Sequence, residues 1–114
     1  MAKNTLGRSA LPQPARTALR QLGRDLTLAR ARRGHSLRDA AERLQVSINT
    51  VRNLEAGHAG VGLGILANAL ALYGMLDRLG TLADPAADRV GLALERRKLE
   101  RKGVAGKAAS SFDV

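Results

Sequence analysis

The sequence predicts an all-α fold, and three observations carry that prediction. Leu, Ala, Val and Ile supply most of the apolar content, because Tyr73 and Phe112 are the only aromatic residues. Such residues favour close-packed helices, and Ala and Leu are strong helix formers in their own right. From about Thr17 the apolar positions recur at steps of three and four, and no segment shows the two-residue alternation of a strand.

Each element can be placed in turn. Residues 1–15, with Gly7, Pro12 and Pro14 and no periodicity, read as a flexible arm. Leu19, Leu22, Leu26 and Ala29 mark a first helix from about Thr17 to Arg33, with Arg20, Arg24 and Arg30 on its polar side and Gly34 as its stop. Ser36 is placed to cap a second helix, whose stripe is Leu37, Ala40, Ala41 and Leu44. Ser47 is placed to cap a third, which buries Val51 and Leu54 and ends at Gly57. After a glycine-bearing loop, Leu63, Leu66, Ala67, Leu70 and Ala71 mark a fourth helix up to Tyr73. Met75, Leu76, Leu79 and Leu82 mark a fifth. Asp84-Pro85 is a further start signal, and residues 86–101 suit a sixth helix with Val90, Ala93 and Leu94 on one side. Lys102–Val114 is small and polar and reads as mobile. The domain boundaries that follow are 1–15 for the arm, 16–83 for the helical domain and 84–114 for a basic extension.

Nineteen Lys and Arg against ten Asp and Glu give a net charge of +9, most of it from Arg. A field of that sign attracts polyanions, and Arg forks onto phosphates and base edges better than Lys. Solubility alone, or an arginine bias of the source genome, is the competing explanation. The absence of cysteine excludes disulfides, zinc knuckles and thiol chemistry. With no signal-peptide pattern and no long apolar run, the expected location is the cytoplasm, on the nucleoid.

The informative constellation is Ala41, Gln45 and Val51. Two short helices that cross steeply need a small residue at the contact, a tight turn four residues on, and a branched apolar plug six beyond that. This is the helix-turn-helix register, in which the second helix of the pair enters the major groove. Gln45 departs from it, because glycine usually fills a turn position that favours positive φ. A helical hairpin that merely packs is the alternative.

With Val51 and Leu54 inward, Ser47, Ile48, Asn49, Arg52 and Asn53 face outward, and Thr50 lies near the edge. Asn pairs with adenine, Arg with guanine, and an exposed aliphatic packs on a thymine methyl. Taken singly, each is equally well a solvated surface residue; together they read as base contacts. Helix starts present free amides to phosphate, so Ser36, flanked by Arg33 and Arg38, and Ser47 are expected backbone anchors. Arg43 either reaches a phosphate or is solvated.

The runs LGRDLTLARARRGHSLRDAAERLQVSINTVRNLEAG and LGILANALALYGMLDRL resemble the Xre/Cro family. The resemblance spans Leu22–Leu82 and implies a five-helix lambda-repressor-like helix-turn-helix domain. It also implies a structural salt bridge between Arg30 and Glu55. A narrower likeness, carried by GVGLGILANALALYGMLDRLGTLADPAADRVGLALERRKL, is to HipB-like antitoxins. It implies a homodimer on a palindromic operator, autoregulation of a toxin–antitoxin operon, and a HipA-type kinase toxin as partner. No residue can be matched to a kinase-contacting position.

Other functional classes fit the sequence less well. A protein-interaction module would dock a toxin through Val90–Lys102, although that stretch equally suits a helix closing the core or a dimer. A sequence-indifferent nucleic-acid binder lacks aromatic stacking platforms. An enzyme has the least support: His35 and His58 have no partners for a nucleophile or metal site, and Gly60, Gly62 and Gly64 precede no lysine-serine pair. No cofactor is expected.

Overall fold

The computed structural model describes residues 11–106 and is all-α, with six α-helices and one 3-10 turn among them. By contact the chain divides into two units, one ending at Leu79 and the other beginning at Gly80.

The first unit opens with α1, Gln13–Arg32. It starts four residues before Thr17, so the end of the expected arm is helical. Pro14 sits in the first turn, where a missing N–H costs nothing and the fixed φ suits the helix. Then come α2, Leu37–Leu44, α3, Ile48–Glu55, α4, Leu63–Leu72, and the short α5, Leu76–Gly80. α1, α2, α3 and α4 all end alike. The residues at 34, 45, 57 and 74 turn left-handed. In each case that residue and its successor donate back to the last turn, as Gly34 N does to Ala31 O and His35 N to Arg30 O. These paired bonds satisfy carbonyls that the helix end would otherwise orphan.

Two apolar clusters hold the unit together. Leu26, Ala29, Leu44, Leu54, Ala69, Leu70 and Tyr73 form the larger one, with Leu22, Ile65, Met75 and Leu79 packed on it. Ala40, Ala41 and Val51 form the second, between α2 and α3. Ala40 is wholly enclosed and Val51 nearly so. Small residues there let the two backbones approach, which fixes their crossing.

Along α4 the buried face is not the expected stripe. Leu63 is 78% exposed and Ala71 faces water, while Ala69 is enclosed. The helix is apolar nearly all round, so periodicity could not select its inner side. In the segment read as a fifth helix, Met75 and Leu79 pack inward, but Leu76 and Leu82 are exposed.

The second unit is one long helix behind a capped turn. Asp84 Oδ1 accepts from Ala86 N, opening a 3-10 turn at Pro85–Ala87. Asp88 then interrupts the single helix expected over 86–101. Its Oδ1 accepts from Gly91 N at 2.9 Å and starts α6, Arg89–Gly106. A side chain at 91 would collide with that carboxylate. α6 also carries residues 102–106, part of the tail read as mobile; residues 1–10 and 107–114 lie outside the described residues. Val90, Leu92 and Leu94 are exposed.

Candidate nucleic-acid interface

The interface is built from α2, the turn after it, and α3. Ser36 caps α2 reciprocally: its Oγ accepts from Asp39 N at 3.0 Å, and Asp39 Oδ2 accepts from Ser36 N at 2.9 Å. This capping box satisfies two amides at once. It also seats a carboxylate at the α2 N-terminus, the position expected to receive a phosphate. The bond from Ser36 N–H, then that from the Ser36 hydroxyl, hold the Asp39 carboxyl below its ordinary pKa.

The turn runs through Gln45, at φ 57° and ψ 46°. Val46 N reaches back to Ala41 O at 3.0 Å, which closes α2 and sets the angle at which α3 leaves. Ser47 caps α3. Its Oγ accepts from Thr50 N at 3.0 Å and lies 2.9 Å from Thr50 Oγ1, so the two hydroxyls pair at the mouth of the helix.

Asn49, Arg52 and Ser47 are exposed, whereas Thr50 and Asn53 are half-buried. Ile48 differs from expectation. It is half-buried and packs against Ala40, Ala41 and Val51, because the first turn of α3 leans onto the small residues of α2.

The far end of α3 is tied to α1. Glu55 takes two bonds from one guanidinium: Arg30 Nε to Oε2 at 2.7 Å and Arg30 Nη2 to Oε1 at 3.0 Å. Thr27 Oγ1 lies 3.1 Å from Oε1 and 2.9 Å from Gly23 O. Arg30 Nη1 donates to His35 O at 2.9 Å, so one side chain spans the helix end and the link to α2. The side chains of Arg30 and Glu55 are 15% and 11% exposed, and their hydrogen bonding raises the guanidinium pKa against a smaller opposing effect of burial. Fork-on-carboxylate geometry of this kind is both strong and directional.

Of the residues expected at phosphates, Ser36 and Arg38 lie together at the start of α2 and are exposed. Arg43 is exposed at the other end of that helix, lining a shallow depression with Gln45, Asn68 and Leu72. Arg33 is engaged within the fold. Its guanidinium donates to Ala29 O at 2.8 Å and Tyr73 O at 3.0 Å, and lies 5.1 Å from the Tyr73 ring centroid. It fastens α1 to the end of α4, a structural role beside the one expected of it. Burial, then the nearby Glu55 charge, pushes the Tyr73 phenol up.

Residues 21–81 match the family model of a helix-turn-helix domain. The chain belongs to the helix-turn-helix family. No curated protein and no solved structure matches it. The match supports an Xre-like helix-turn-helix regulator, and helix-turn-helix domains of this kind bind DNA. Among the described residues no group of three His, Asp or Glu is arranged to hold a metal, and no helix is long and apolar enough to cross a membrane.

Two features of this helix-turn-helix domain escaped sequence reasoning. Asp39 was signalled by its spacing from Ser36, a Ser-x-x-acid capping pattern. Gly23 was signalled only by being a glycine inside a helix. A Cβ there would strike Glu55 O.

Proposed function

We propose that this protein is a sequence-specific repressor that binds double-stranded DNA as a homodimer, with α3 in the major groove. The observation that carries the reading is the exposed edge of α3, where Asn49 and Arg52 project from a helix capped at one end and tied at the other. In this reading Asn49 pairs with adenine and Arg52 with guanine. Ser47, Thr50 and Asn53 make supporting contacts to bases, and the uncovered part of Ile48 meets a thymine methyl. Ser36, Arg38 and Arg43 meet phosphates. Two copies on a palindromic operator would read half-sites about 34 Å apart.

The resemblance of residues 60–99 to HipB-like antitoxins supports a narrower version. The repressor then controls its own toxin–antitoxin operon and restrains a HipA-type kinase. A second reading makes kinase binding the main task, and the exposed Val90, Leu92 and Leu94 of α6 favour it.

Gel shifts on the region upstream of its own gene, with scrambled duplex as competitor, test the first reading. Retention of the shift against a large excess of scrambled DNA is expected. Equal competition by scrambled and native duplex would sink the claim of sequence specificity. Co-purification with the product of the adjacent gene separates the second reading from the first.

A further inference from the structure

We infer that α1 carries a second DNA-binding surface, a stripe formed by Arg16, Arg20 and Arg24 that grips the phosphate strand beside the recognition helix. The inference rests on the DNA-binding reading above and adds a surface to it outside the helix-turn-helix pair.

The placement comes from α1 itself. At about 100° per residue, positions four apart form one stripe along a helix. Leu22, Leu26 and Ala29 define the side of α1 that meets the core. Gly23, Thr27 and Arg30 define the neighbouring side, which meets the end of α3. Arg16, Arg20 and Arg24 fall on and just beyond that second side, and all three are exposed. The turn that bears Arg20 packs directly on the residue that ends the recognition helix. A Cβ at Gly57 would stand 2.7 Å from Arg20 N and Cα. The middle of the stripe therefore lies beside the end of α3.

Its chemistry points to a polyanion. Among the described residues none of the three arginines makes an ion pair. Arg16 Nε donates to Leu11 O, and Arg24 Nη2 donates to the Gln21 amide oxygen. The nearest acid in sequence, Asp25, is engaged by Gln21 Nε2 instead. Like charges four apart on a helix repel one another, and here no acid interleaves to relieve them. A row of phosphates would. From Arg16 to Arg24 is about 12 Å of helix, enough to follow about three phosphates of one strand at 3.4 Å of rise each. A helix lying in the major groove has such a strand along its flank.

The test uses the full chain and a random-sequence 30-base-pair duplex, with fluorescence anisotropy at salt concentrations from 50 to 200 mM. Each phosphate neutralised contributes about 0.9 to the slope of log affinity against log salt. The triple variant Arg16→Ala, Arg20→Ala, Arg24→Ala should flatten that slope by about 2 to 3. Over this salt range the wild-type chain then loses about 15- to 60-fold more affinity than the variant. Alanine suits an exposed helix, and circular dichroism checks that the fold is kept. The matching Arg→Lys triple keeps the charge and should restore the slope. Removing Arg89, Arg96 and Arg97 from α6 takes away equal charge elsewhere and should change the slope less. An unchanged slope in the α1 variant, or an equal loss from the α6 variant, overturns the inference. A wild-type chain that binds no duplex at all overturns the DNA-binding reading beneath it.

Discussion

Gly57 passes so close to Gly23 that a Cβ on Gly23 would stand 2.9 Å from the Gly57 nitrogen and closer still to the carbonyl of Glu55. The end of α3 is thus docked on α1 backbone against backbone, with no side chain between. Gly57 adds to this by taking φ 76°, which side chains resist. Gly23→Ala should therefore force α1 and α3 apart. We expect a loss of about 3 kcal/mol, at the upper end for overpacking. Gly64→Ala, at a helical site with open space around it, should instead stabilise by about 0.5–1 kcal/mol. Urea unfolding of both variants checks the pair. Equal effects would show that the contact does not matter.

The Arg30–Glu55 pair is the second fastening of the same helix end. Breaking a largely buried ion pair strands the remaining charge, at a cost of about 3–5 kcal/mol, whereas replacing both partners by apolar side chains is often neutral. Water reaches part of this pair, so the lower figure applies. Arg30→Met and Glu55→Met should each destabilise by about 3 kcal/mol. The double variant should recover most of that. Thermal unfolding of the three variants provides the comparison, and additive losses in the double variant would contradict it.

Much of this arrangement was legible in the sequence, for a physical reason. Hydroxyl caps, left-handed stops and the burial of Leu26, Ala41 and Val51 are dictated by residues within a turn or two of each other. Less legible was whatever depends on distant segments. Arg33 resembles any basic residue beside a helix start until α4 brings the Tyr73 carbonyl to it. Gly23 looks like an ordinary weak point in a helix until the end of α3 arrives. Ile48 follows the outward register of α3, yet the small residues at 40 and 41 leave room for it to lean inward.

Gln45 holds a left-handed conformation without being glycine. That conformation costs a residue with a Cβ about 1–2 kcal/mol. Gln45→Gly removes the steric cost but gives back some unfolded-chain entropy, so a net gain of about 1 kcal/mol is expected. Gln45→Val should be destabilising, since branching at Cβ makes positive φ worse. Urea midpoints for the two variants should move in opposite directions.

Asp39 links the α2 cap to pH. Its folded-state pKa lies below the ordinary value, chiefly because it accepts from Ser36 N–H. A depressed carboxylate contributes stability above its unfolded pKa, about 3.9 for aspartate, and that contribution is lost as pH falls through the folded value. Melting temperatures measured from pH 6 down to pH 2 should therefore show a shallower acid decline in Asp39→Asn than in wild type. The same substitution removes a negative charge from the α2 N-terminus, where a phosphate is proposed to sit. DNA affinity should accordingly rise while stability at neutral pH falls. A parallel fall in both would place Asp39 on the DNA side only as a structural cap.

Asn49 and Arg52 differ from Arg38 in what their loss should do. If the first two read bases, Asn49→Ala and Arg52→Ala each lower affinity by about 1–3 kcal/mol for the duplex carrying the recognised base and little for duplexes changed there. Specificity then relaxes at one position for each variant. If Arg38 meets a phosphate, Arg38→Ala weakens all duplexes together and lowers the salt slope by about 1. A panel of single-base operator variants, titrated against the three proteins, distinguishes the two patterns. Asn49 and Arg52 are exposed and, among the described residues, make no side-chain hydrogen bond or ion pair, so thermal unfolding of both variants should match wild type. If Asn49→Ala weakened every duplex alike, the edge of α3 would be lying along the phosphates and not facing the bases.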